Sequence, residues 1–234
     1  MKTLRATGGL FGALALAIVG AGASAPALAD PGAENTLALE ALHNYALCAV
    51  QRTPDGAVKL LAMDHTSSEY NAELRRFAKG HSYCTRTGTE LKFTGLPFAG
   101  DLAEAVLATR YEGRSLANAA AALDAERRKA AGQDADGKPV DAPTFRAFAA
   151  SHADTVSEAV GLCVVLQKPD AVAALLKTSP NSPEELAALQ PTGADLPGCV
   201  PEGVTMKLNR PAVRAMYALG AYRLLAGPQV HPEG

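Results

Sequence analysis

Four cysteines and a group of histidines are the side chains of this chain whose types and spacing could do chemistry. Cys48 and Cys84 stand 36 residues apart, and Cys163 and Cys199 repeat that interval. His43, His65 and His81 all lie in the first half, and Glu69 follows His65 by four residues. His43, His65, Glu69 and His81 are the candidate polar cluster, for acid–base work or for a metal. No H-E-x-x-H or comparable ligand spacing supports such a site, so histidines solvated at the surface are the plainer expectation. The cysteines carry no C-x-x-C and no clustered histidine, which argues against zinc. Neither a metal nor a cofactor is expected.

The compartment decides what the thiols do. Lys2 and Arg5 precede an uncharged apolar run, Leu10 to Val19, and Ala27-Leu28-Ala29 forms an A-x-A site before Asp30. This is the pattern of a cleaved secretory signal covering residues 1–29, too short to span a bilayer. The expected location is the periplasm or the medium, after cleavage near Ala29. Four cysteines in an exported chain read as a disulfide framework. Pairing Cys48 with Cys84 and Cys163 with Cys199 is the simplest arrangement; pairing across the halves stays open on symmetry alone.

The formal charge of −2 becomes two units more negative once Lys2 and Arg5 are removed, which excludes the basic face of a nucleic-acid binder. Aromatics make up 5% of the chain and Trp is absent, while Ala and Leu dominate. Such a mix favours close-packed helices over a β-sandwich. The most apolar late segment, Ala212 to Ala226, carries Arg214 and Arg223 and reads as a core-facing helix, so no membrane span is expected after the signal.

The repeated cysteine spacing belongs to a longer repeat. At a constant offset of 115 residues, Leu47, Cys48, Pro54, Asp55, Leu60, Leu61, Ser67, Cys84, Gly88, Lys92 and others recur unchanged. A tandem duplication explains this register. Each copy reads as a helix running into its first cysteine and stopping before Pro54 or Pro169. That proline opens a second helix at its first position, with Asp55 or Asp170 against the positive end of the dipole. Ser182-Pro183-Glu184-Glu185 has the form of a capping box for a third helix, and Thr66 or Ser67 would cap its counterpart. Leu91 to Phe93 and Val204 to Leu208 alternate apolar and polar, so each copy is allowed one short strand, with Lys92 and Lys207 as edge lysines. Final helices follow from about Pro97 and Pro211.

The expected architecture is therefore all-α, with at most one pair of short strands. It comprises two tandem disulfide-stapled helical units in pseudo-two-fold arrangement, over residues 30–111 and 144–227. An alanine-rich helix and a linker occupy residues 112–143, and residues 228–234 form a tail expected to be disordered.

At CVVLQKPDAVAALL, NSPEELAAL and CVPEGVTMKLNRPAVRAM the chain resembles a group of uncharacterised exported bacterial proteins. Their doubled pattern is cysteine–valine, a proline-led helix, a serine–proline–glutamate helix start, and cysteine-x-proline-x-glycine. The second copy fits well. The first departs, with Thr85-Arg86-Thr87-Gly88 where a proline is wanted and none after Ser67. The resemblance implies export and duplication and brings no activity. G-x-S-x-G and P-loop motifs are also missing. The function expected from sequence is a non-enzymatic binding or interaction protein of the bacterial envelope. Its partner would be a protein, a peptide or a small apolar ligand held in a groove between units. The alternatives are a periplasmic hydrolase with its site in the first unit, and a structural or stress-related envelope protein.

Overall fold

A computed structural model describes residues 31–85, 95–130, 142–206 and 208–227. Among these residues the fold is all-helical: eleven α-helices and two short 3-10 turns. They are α1 (Pro31–Arg52), α2 (Pro54–Leu61), α3 (Ser68–Gly80), α4 (Gly95–Arg110), α5 (Leu116–Ala130) and α6 (Ala142–Ala150), followed by α7 (Val156–Gln167), α8 (Pro169–Leu175), α9 (Pro183–Leu189), α10 (Leu196–Cys199) and α11 (Arg210–Ala226). No described helix is long and apolar enough to cross a membrane. The signal segment, Gly88, Lys92, Lys207, the stretch Leu91 to Phe93, most of the linker and the tail lie outside the described residues.

Local chemistry sets the helix boundaries. Pro54 and Pro169 each occupy the first turn of the helix they open, where a missing N–H leaves nothing unpaired. The Ser67 hydroxyl accepts from the Tyr70 N–H, and the Ser182 hydroxyl accepts from the Glu185 N–H. Thr66, the other cap considered from sequence, instead bonds the Asp64 carboxylate through its amide and its hydroxyl. Ser115 caps α5 at the Asn118 N–H.

The expected strand at Val204 to Leu208 does not form in its described part. The chain there turns instead, with the Val204 N–H bonded to the Pro201 carbonyl and Gly203 at φ +77°. Alternation of side chains makes a strand only where a partner edge supplies hydrogen bonds. None does so here among the described residues.

The cysteines pair within each half, Cys48 with Cys84 and Cys163 with Cys199, with Cα atoms 5.7 Å apart in both. In the chain-entropy account each closure stabilises by roughly 3–4 kcal/mol. Cys163 and Cys199 are buried, and the Gln167 amide donates to both sulfurs.

The core is organised around α11. Ala218, Leu219 and Tyr222 pack with residues of α1 to α4, while Val213, Met216, Tyr217, Ala221 and Leu225 pack with α5, α7, α8 and α10. A helix buried on every side must meet its neighbours through small residues. α11 does so at two crossings. A Cβ placed on Gly161 of α7 would lie 1.7 Å from the Met216 carbonyl oxygen, and one on Gly100 of α4 would lie 2.4 Å from Ala215. Backbone approach this close is available only to glycine.

Candidate functional site

Arg214 and Arg223 sit nine residues apart on α11, two and a half turns, and therefore project from opposite faces. Both are buried, at 4% exposure, and a buried guanidinium requires carboxylates. Arg214 donates to both oxygens of Glu104 on α4 at 2.7 Å, to Glu185 of α9 at 3.2 Å, and to the Thr178 hydroxyl and carbonyl. Arg223 donates to both oxygens of Glu158 on α7, at 3.2 and 3.1 Å, and to the Leu61 carbonyl at the end of α2. Asp154 adds a second carboxylate to Arg223 at 2.5 Å. Each arginine thus holds one residue from the first half of the chain and two from the second.

Two of the three acceptor glutamates, Glu158 and Glu185, are built alike. Thr155 caps α7 by accepting from the Glu158 N–H, and the Glu158 carboxylate reaches back to the Asp154 N–H. The Glu185 carboxylate likewise takes the Asn181 N–H, and also Arg210 at 2.7 Å. The capping contacts therefore help to orient each carboxylate toward its arginine. Burial pushes the Glu104 carboxyl up from its usual range, and the Arg214 hydrogen bonds and charge pull it down.

Of the candidate polar cluster His43, His65, Glu69 and His81, His43 alone joins this network by a direct contact. Its Nδ1 lies 3.2 Å from Asp101 and 3.7 Å from Glu104, both on α4. Burial lowers its pKa, but the Asp101 hydrogen bond and the Glu104 and Asp101 charges outweigh it, so the imidazole is raised overall. Asp101 is itself raised, chiefly by burial. The pair thus holds a proton more firmly than either group would in water.

The other three lie elsewhere. His81 bonds Thr53 through Nε2 at 2.6 Å and the Phe77 carbonyl through Nδ1 at 2.7 Å, which makes it a structural brace at the end of α3. His65 is buried at 5% exposure with Nδ1 unpartnered, and burial lowers its pKa. Glu69 is exposed and bonded to the Ser68 hydroxyl. The expectation of solvated histidines is corrected for His65 and His81, which are core residues, and for His43, which is half-buried. The cap explains why His65 and Glu69 do not share a helix face: Ser67 starts α3, leaving His65 outside it.

Two concavities adjoin Glu104. One is a recess of about 20 Å³ lined by Asp101, Glu104, Glu185, Arg214 and three prolines, room for a single water. The other is a groove of about 340 Å³ where α4, α5, α8 and α11 meet. Leu107, Tyr111, Leu116, Leu176 and Leu225 make its apolar wall, and Glu112, Arg114 and Lys177 stand on its rim. Glu104 forms part of its lining with both oxygens already committed to Arg214.

Sequence reasoning missed Asp101, Glu104, Glu158 and the groove residues. A signal for the network existed: two arginines inside the apolar run from Ala212 to Ala226 must find buried acids. No family model, curated protein or solved structure matches this chain. Among the described residues no group of three or more His, Cys, Asp or Glu is placed to hold a metal ion.

Proposed function

We propose that this is an exported, non-enzymatic binding protein of the bacterial envelope, whose site is the groove between the two halves. The observation that carries the reading is the 340 Å³ groove at the junction of α4, α5, α8 and α11. That volume falls in the range of small-ligand sites, and its apolar wall with a few rim charges has their usual composition. The buried arginine pairs hold the two halves against α11, so the groove is preformed and binding costs little ordering. Export is supported by the signal-like N-terminus and by two disulfides, which persist in oxidising compartments. The recurring residues support a tandem duplication as the origin of the two halves.

The test is fluorescence titration with N-phenyl-1-naphthylamine, an uncharged apolar probe. Saturable one-to-one binding is expected, and Ala173→Phe, which fills the groove from α8, should weaken it at least tenfold. Absence of binding, or equal binding to the filled variant, refutes the reading.

The hydrolase alternative rests on one observation, the His43–Asp101 hydrogen bond in the first half. It requires a histidine-dependent turnover of an ester or amide substrate. His43→Gln would abolish that turnover while leaving probe binding in the groove intact. Activity unaffected by this change removes the alternative.

A further inference from the structure

We infer that the groove takes an amphipathic anion, a short aliphatic chain ending in a carboxylate whose charge is held at the rim by Arg114 and Lys177. This rests on the groove being a ligand site and adds what kind of ligand it is. The groove's volume of about 340 Å³ accommodates a single short aliphatic chain. Its wall is apolar from Leu107 round to Leu225, so the body of the ligand is apolar too.

The rim charges choose the head. Neither Arg114 nor Lys177 has an ion-pair partner among the described residues, although Arg110, one turn earlier, is taken by Asp55. The Arg114 guanidinium lies over the Tyr111 ring at 5.8 Å, which holds its charge against the groove wall. Glu112 is the one unpaired acid on the same rim, so the cations outnumber it. The other carboxylate, Glu104, offers no charge to a ligand because Arg214 takes both of its oxygens. An anionic head therefore gains two attractions and meets one repulsion, while a cationic head meets the reverse.

The test compares octanoate, octanol and octylamine by isothermal titration at low ionic strength, on the full chain after signal removal. Two exposed ion pairs favour octanoate over octanol by about fivefold. The variant carrying Arg114→Gln and Lys177→Gln should bring the two affinities together and leave octanol unchanged. Octanol binding as tightly as octanoate overturns the inference and leaves the groove standing; the two cations then serve the helix carbonyl ends beside them. Octylamine binding best also overturns it, with Glu112 as the selecting charge. Failure of every probe, naphthylamine included, overturns the groove reading and this inference together.

Discussion

The Arg214 guanidinium meets the Glu104 carboxylate in two parallel hydrogen bonds of 2.7 Å, joining residues 110 apart in the chain. Both side chains are buried, so the pair operates where water cannot substitute for a lost partner. Arg214→Ala would leave Glu104 buried and uncompensated, at a cost of about 3–5 kcal/mol. Combining Arg214→Met with Glu104→Leu should recover much of that loss, because the Glu104 charge is gone and Glu185 keeps Arg210. Urea unfolding of the single and double variants measures the difference; equal destabilisation would show that the pair is not the source.

The half-buried His43 and the buried His65 give stability opposite dependences on pH. His43 is raised in the fold, so its contribution is fully present below its ordinary value of 6.5 and fades as pH rises through the higher folded value. His65 is lowered by burial and by Arg223, with Glu158 and Asp64 opposing, so its contribution is present above 6.5 and fades as pH falls. His43→Gln should therefore cost more stability at pH 5.5 than at pH 8. His65→Gln should cost less at pH 5.5 than at pH 8. Thermal melts at the two pH values decide it, and parallel shifts in both variants would contradict the assignment.

Tyr70 is fully buried with its hydroxyl unpartnered, and burial pushes its pKa up. Tyr70→Phe removes an unsatisfied polar atom and keeps the ring. The variant should match the native protein or exceed it by up to about 1 kcal/mol. A loss of stability in calorimetry would mean that the hydroxyl has a partner in solution.

The crossing of α7 with α11 tolerates no side chain at Gly161 or Gly220, since a Cβ on either would meet facing backbone atoms. Gly161→Ala should destabilise by about 3 kcal/mol or more, as the helices must part. Gly80, the last residue of α3, has open space where a Cβ would be placed. Gly80→Ala should be neutral or stabilise by up to about 1 kcal/mol. Denaturation midpoints for the two variants in parallel check the contrast.

What the sequence disclosed follows from what is local. Pro54, Pro169 and Ser182 act within one turn of their own position, and the helices begin where those residues require. Glu185 was legible as half of a capping box, but its role as a partner of Arg214 was not, because that meeting depends on how α9 lies against α11. His43 and Asp101 lie 58 residues apart, and nothing in either neighbourhood announces the other. The groove was equally hidden. It is made of ordinary apolar and rim residues that become a concavity only when four helices converge. The expected strand failed for the converse reason: its alternation was local, but a strand needs a distant edge.

The proposal that the groove is a ligand site is tested most directly by photolabelling with an uncharged diazirine-bearing octanol, followed by peptide mass mapping. Labels should fall on the segments 104–116 and 173–177 and on Leu225, and should disappear when unlabelled octanol is in excess. Labels concentrated instead on the exposed apolar residues Leu37, Tyr83 or Leu186, or unaffected by competition, would contradict the groove as the binding site.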